Sequence, residues 1–509
     1  MVLRISLALT ALFVLLGLFM PGQLNQFTAD LLSLTIARFG WFYLLSVFGF
    51  LLFALYLACS RFAQIRLGGE DAEPEFSRGS WFAMLFSAGM GIGLVFWGTA
   101  EPLSHFASPS QGIAAQTPEA ARMAMHASFF HWGLHPWAIY CVMGLALAYF
   151  KFNRGAPGLI SSVFRPLLGD RVEGPIGKAI DVLAVLATAF GVATSLGFGA
   201  LQIESGLKYL FGIPSGGWTT FAVIATATVL FVLSSLTGLT RGIRILSNLN
   251  LWLAVGLLLL VAVLGPTAFI FDIFTTTLGD YLDDLVAQSL RLTPYSQNTW
   301  VAGWTLFYWA WWITWAPFVG MFIARVSKGR TIREFVVGVL LVPALASFIW
   351  FSVFGGTGLW MQLFGHADLV AAAGSDASTA LYHMFAGLPG GAVISGVAML
   401  LVLSFFVTSA DSATFVLGML SSKGSLNPGH RVKLVWGVLV AAIALILLAS
   451  GGLKGLQSVS IIAALPFALI MVGMMVSLYK ALSQDERKQR HHELALKHEM
   501  ERLLAQASR

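Results

Sequence analysis

Apolar residues run through this chain in stretches of about twenty, long enough as helices to cross a bilayer, and short polar loops separate them. Twelve such stretches lie near 5–21, 40–60, 80–100, 125–150, 178–206, 217–239, 246–270, 300–325, 333–358, 391–420, 431–450 and 456–480. The first follows Arg4 and has the length of a signal peptide. It lacks a small-residue cleavage site and further spans follow it, so it reads as a retained helix. Alternating the loops between two sides gathers Arg61, Arg66, Arg78, Lys151, Arg154, Arg165, Arg171, Arg241, Arg244, Lys328, Arg330, Arg333, Lys423 and a basic tail on one side. The other side keeps Arg38, Arg122, Lys208, Arg291 and Lys454. The positive-inside rule then places both termini in the cytoplasm.

Two segments outside the spans are helical by pattern. From Phe271 to Tyr295, Asp272, Asp280, Asp283 and Asp284 alternate with leucines, which predicts an amphipathic helix lying across the outer end of the bundle. Gln484 to Arg509 mixes both charges with three histidines, a solvated helix. His492 and Glu493 approach zinc-protease spacing, but His498 falls too far along, and no metal is expected there.

Composition agrees with a membrane protein: 57% of the 509 residues are hydrophobic and 11% charged, with a mean hydropathy of +0.80. One water-soluble core could not bury that much apolar surface. The net charge of +6 would suggest nucleic acid in a soluble domain. Here the basic residues sit in short loops, where orientation in a membrane requires them, and no nucleic-acid partner is expected. Cys59 and Cys141 each lie in an apolar stretch, so neither a disulfide framework nor metal-thiolate spacing exists. No GxxxxGK loop is present, which excludes an ATP-driven pump formed by this chain alone. Nor does a nucleophile-base pair or metal cluster suggest an enzyme.

Three clusters carry the chemistry. In the third span, Ser87, Gly89, Met90, Gly91 and Gly93 form a glycine-rich run. Glycine costs helix stability, and unwound backbone inside a bilayer is tolerated where it lines a polar cavity, its carbonyls free for a cation and its N–H groups for a carboxylate. In the fourth, HWGLHPWAIY supplies Trp132, Trp137 and Tyr140, with Pro136 to bend the helix and bring the rings together. Ring faces suit a quaternary ammonium group, which has no N–H to donate. His131 and His135 flank this cluster as packing histidines. A second aromatic column, Trp304, Tyr308, Trp311 and Trp315 with Trp312 close to the same side, climbs the eighth span through the depth of the bilayer. In the tenth, Thr408, Ser409, Asp411 and Ser412 interrupt LSFFVTSADSATF. Hydroxyls beside an intramembrane acid suit a hard ion such as sodium, while Asp411 itself is expected to cap or pair within the bundle.

GMGIGLVFWGTAEP at 89–102, HWGLHPWAIY at 131–140, and the tryptophan-rich stretch at 307–325 followed by SKGRTIREF together resemble the betaine/carnitine/choline transporter family, from the second span to the twelfth. The resemblance implies an all-α membrane protein of the leucine-transporter type with 12 transmembrane helices. Residues 1–79 would form two extra helices and a loop, 80–270 and 300–483 two inverted five-helix repeats, 271–299 the outer connecting helix and 484–509 a short cytoplasmic tail. It implies a trimer in a bacterial inner membrane. The family's ammonium cage falls on Trp132, Trp137, Tyr140 and Trp312, with Trp315 close by, and the substrate carboxylate on backbone around Gly89, Met90, Gly91 and Gly93. One sodium would lie among Ser87, Met90, Phe405, Thr408 and Ser409. A second would use Thr188 and Phe318, but Val192 stands where a second threonine is needed, with Thr194 or Ser195 as replacements. No other cofactor is implied. Where choline-carrying relatives have an aspartate this chain has Gly93, which favours a zwitterion. Sodium-coupled import of glycine betaine is the resulting expectation, with carnitine, proline betaine and dimethylsulfoniopropionate as rival solutes. A sodium-independent exchanger and a non-transporting osmosensor are the rival activities.

Overall fold

The long apolar stretches fold as helices because, inside a bilayer, a helix satisfies its backbone N–H and C=O groups within one segment. The computed structural model describes residues 1–89, 91–110, 112–237, 240–296, 298–365, 367–425 and 427–507. In chain order α1 spans Val2–Phe19, α2 Pro21–Cys59, α3 Arg78–Gly89, α4 Ile92–Ala107, α5 Pro118–Trp132, α6 Leu134–Asn153 and α7 Pro175–Phe211. Then come α8 Gly217–Thr237, α9 Thr240–Leu264, α10 Thr267–Asp283, α11 Thr305–Val326, α12 Ile332–Phe364, α13 Gly391–Ser421 and α14 His430–Ala507. Short helical turns join several of these. Among the described residues no strand forms beyond an isolated antiparallel bridge between Arg66 and Thr331.

Among the described residues, ten helices are long and apolar enough to cross a membrane, eleven if the bent pair α3 and α4 is one span. The twelve expected from sequence are not reached in that count. Two expected spans, 431–450 and 456–480, lie within α14 on either side of Gly452, whose φ of 55° and ψ of −140° mark a kink where two helices meet. The most apolar stretch of α5 and α6 is 94% buried, against 17% for α1, so α5 and α6 stand at the centre and α1 at the edge. Around them α6 packs against α11 and α12, while α7 packs against α13 and α14.

The expected bend at Pro136 is found three residues earlier, at Gly133, where α5 ends and α6 begins. A Cβ on Gly133 would lie 2.6 Å from the Phe129 carbonyl oxygen and 2.7 Å from the Tyr281 hydroxyl, so the crossing is closed to any larger residue. Pro136 sits in the first turn of α6, where its missing N–H has no intrahelical partner to lose. The N–H of Leu134 instead donates to the Tyr281 hydroxyl at 3.0 Å.

Tyr281 belongs to the connecting segment, which packs against α5 and α12 as the amphipathic pattern predicts. Arg122 of α5 holds Asp280 through two hydrogen bonds of 2.6 and 2.5 Å, and these keep the Asp280 carboxyl below its ordinary pKa. Beyond it, Ser289 meets His135 Nε2 at 2.7 Å. At the opposite, basic end the SKGRTIREF turn locks the loop before α3. Gly329 has φ of 80°, and a Cβ there would lie 2.3 Å from the Glu73 carbonyl oxygen. Arg330 lies over the Trp81 ring at 4.8 Å, and Thr331 with Glu334 forms a capping box that starts α12.

Candidate functional site

α3 and α4 meet at 64°, and the bend is where the glycine run predicts unwound backbone. Gly89 is the last residue of α3, Gly91 is the N-cap of α4 in extended conformation, and Met90 lies outside the described residues. Break and bend together leave the N-terminal turn of α4 facing a cavity of about 1070 Å³ whose lining includes Ser87, Gly91, Ile92, Gly93 and Leu94. The first N–H groups of a helix have no intrahelical partner and carry the positive end of its dipole. Such a terminus is suited to receive a carboxylate.

Across the same cavity stand the rings. Trp132, Trp137, Tyr140, Trp312 and Trp315 all line it. Trp132 meets Trp312 edge to face at 4.8 Å and 81°, Tyr140 meets Trp312 at 6.1 Å and 85°, and Trp137 meets Tyr140 at 5.4 Å and 74°. Two of these rings are held by in-plane hydrogen bonds: the indole N–H of Trp312 donates to the His131 carbonyl at 3.1 Å and that of Trp315 to the Gly191 carbonyl at 2.9 Å. Trp311, which the sequence placed in the column but not in the site, also lines the cavity and stacks on Trp312 at 4.9 Å. It explains Gly93. A Cβ on Gly93 would lie 2.3 Å from the Trp311 ring, and that ring is wedged against Phe198 and Phe307. An aspartate at 93 would therefore require the wall to move.

The hydroxyl cluster faces the cavity from α13. Phe405, Thr408, Ser409 and Asp411 line it beside Ser87, so four of the five residues expected around a first sodium share one space. The Thr408 hydroxyl donates to the Ser404 carbonyl at 2.9 Å, a common use of threonine inside a helix. It also accepts from Asn250 Nδ2 of α9 at 3.1 Å, a partner not foreseen from sequence, and Asn250 in turn accepts from the Ser404 hydroxyl. For the second ion the residues part company. Phe318 lines the cavity, whereas the buried Thr188 lies outside that lining and donates to the Ala184 carbonyl at 2.8 Å. Of the two replacements, Thr194 is taken up by Ser460 and the Leu456 carbonyl, while Ser195 lines the cavity and accepts the Trp311 indole N–H at 3.1 Å.

The cavity extends from the rings to Lys151, Arg325 and Lys433, at the end of the bundle that carries the basic loops. On the other side of the rings it is closed by Trp97, Phe198, Phe307 and Tyr308, which are fully buried and in ring contact. Behind that wall lies Glu101, absent from the sequence-derived site although its place in an apolar span was the available signal. Glu101, His105 and His131 lie close enough to hold a metal. Apart from His105 Nδ1, their polar atoms are engaged with one another and with Trp132, Tyr308 and Thr305. His131 and His135 are thus satisfied packing histidines through at least one ring nitrogen each, as expected.

With that geometry in place, the relatives are informative. The model of the betaine/carnitine/choline family of transporters matches residues 1–487. The glycine betaine transporter OpuD of Bacillus subtilis is 51% identical over 95% of this chain and 94% of its own length. A probable glycine betaine transporter of Desulfitobacterium hafniense is 47% identical over 95% and 97%, and an ectoine/hydroxyectoine transporter of Virgibacillus pantothenticus 45% over 95% and 96%. A helical bundle with a bent span, a ring-walled cavity and this similarity along nearly its whole length belongs to the betaine/carnitine/choline transporter family, as a multi-pass membrane transporter and not an enzyme.

Proposed function

We propose that the chain imports a zwitterionic quaternary ammonium solute, glycine betaine first among them, by sodium symport. The observation that carries this reading is a single cavity holding both halves of a zwitterion's complement: five aromatic residues, Trp132, Trp137, Tyr140, Trp312 and Trp315, and the N-terminal turn of α4. A trimethylammonium group gains about 0.5–2 kcal/mol from each ring face it meets. The carboxylate lies on the opposite side, against the backbone at Gly91 to Gly93. Thr408, Ser409, Ser87 and the Phe405 carbonyl supply only oxygens, the donor set a hard cation requires. Sodium placed there would close the junction between α13 and the α3–α4 break, so that ion and solute stabilise the same arrangement.

The basic residues at the mouth of the cavity support an inward-facing state with both termini in the cytoplasm of a bacterium. Rocking of residues 80–270 against 300–483 would then open the site to the other side. We assign the assembly as a homotrimer in the plasma membrane. A second reading, ectoine, takes support from the Virgibacillus relative, since that ring zwitterion also pairs a delocalised cation with a carboxylate. Uptake of radiolabelled glycine betaine into proteoliposomes without internal substrate tests the proposal. An inward sodium gradient should drive accumulation, and potassium in its place should not. Uptake that requires internal solute and ignores sodium would make the protein an exchanger.

A further inference from the structure

The cluster behind the cage carries an inference of its own, resting on the reading of the cavity as an ammonium cage. Glu101 is fully buried on α4 and takes hydrogen bonds from its own helix, from α5 and from α11. Its Oε1 meets His131 Nδ1 at 2.7 Å and His105 Nε2 at 3.2 Å. Its Oε2 accepts the Trp132 indole N–H at 2.8 Å and the Tyr308 hydroxyl. An ionised carboxylate offers about four acceptor positions, and these four donors fill them.

One assignment of protons satisfies these contacts with a single ionised group. His131 Nε2 meets the Thr305 hydroxyl at 3.0 Å, which donates to it when His131 carries its proton on Nδ1. His105 Nδ1 is buried with no partner, a lesser cost for a bare acceptor nitrogen than for an N–H. In that assignment both rings are neutral, no Lys or Arg among the described residues is a partner of Glu101, and the carboxylate charge stands uncancelled. Trp132 has its N–H on that carboxylate while its ring lines the cavity and stands edge-on to Trp312.

We propose that Glu101 is the positioning residue of the cage. It fixes the Trp132 and Tyr308 rings, and through one thickness of indole its charge biases the cavity toward cations, adding to the attraction of the ring faces for an ammonium group.

The test compares two solutes of one shape. Glycine betaine and 3,3-dimethylbutanoate differ in a single atom, cationic nitrogen against neutral carbon. Their affinity ratio is measured on purified protein at fixed sodium, the second as a competitor of the first. Glu101→Gln keeps the hydrogen bonds to Trp132, Tyr308 and His131, because its amide can donate to His131 in the other tautomer, whose Nε2–H then donates to Thr305, and gives up only the longer His105 contact. The ratio should fall at least tenfold in Glu101→Gln, with the dimethylbutanoate affinity nearly unchanged. Equal losses for both solutes would make Glu101 a structural brace and overturn the proposal. If Glu101→Gln does not fold, Glu101→Asp decides. A retained charge should hold the ratio within about threefold of wild type even as both affinities weaken, and a tenfold fall would overturn it. Wild-type protein that binds neither solute would overturn the cage reading on which this rests.

Discussion

Two successive stretches of α11 are built from the same kind of residue and do opposite things. Toward the break in α3 and α4, Trp312 and Trp315 are half-buried and line a cavity with Trp132, Trp137 and Tyr140. About one turn earlier Phe307, Tyr308 and Trp309 are fully buried and packed ring on ring against Trp97, Phe130 and Phe198. What separates them is the neighbour, since small residues and a helix break hollow out the space beside one stretch while large rings fill it beside the other. An aromatic stripe is thus neither a core nor a site by itself. Its function depends on whether the facing helix supplies another ring or a glycine.

That contrast can be broken from either side. On the packed side, Phe307→Ala should cost about 3–5 kcal/mol of stability and appear as a loss of folded, monodisperse protein. If it folds like wild type and only weakens binding, the division into packed and hollow sides is wrong. At the border, Gly93→Asp must displace Trp311 and should reduce glycine betaine uptake roughly 100-fold through overpacking, with the protein still present in the membrane. On the hollow side, Trp312→Leu should weaken binding about tenfold for the loss of one ring face, with little change in melting temperature. Unchanged affinity would remove the ring from the site.

The smallest effect lies outside the bilayer. The Asp280 pKa is lowered by its hydrogen bonds from Arg122, so the pair's contribution is fully present above the unfolded value near 3.9 and is lost as pH falls through the folded one. Asp280→Asn should lower the melting temperature by about 1–2 °C at pH 7. The difference should begin to shrink as pH falls below about 4 and vanish only below the lowered pKa of Asp280 in the folded protein.

Much of this was legible before any coordinates. Alternating glycines at 89, 91 and 93 announce a break because they defeat helix propensity on every face, and the rings of HWGLHPWAIY, at i, i+5 and i+8, announce a bend because a straight helix would not bring them together. Other features depend on partners distant in sequence. The bend belongs to Gly133 because Tyr281 and Phe348 crowd it, which no local pattern shows, and proline drew attention to the wrong residue. Glu101 looks like one acid in an apolar run until His105, His131, Trp132 and Tyr308 converge on it. Thr188 and Thr408 are alike on paper, yet of the two only Thr408 meets the cavity. The count of spans was blurred because two helices run together across the kink at Gly452.

The most direct test of the ring-walled cage is the affinity of purified protein, at fixed sodium, for glycine, sarcosine, dimethylglycine and glycine betaine. Each added methyl removes an N–H donor that ring faces cannot satisfy. A cage of Trp132, Trp137, Tyr140, Trp312 and Trp315 predicts affinity that rises along the series, with glycine betaine bound tightest. Affinity that is flat, or highest for glycine, would contradict it.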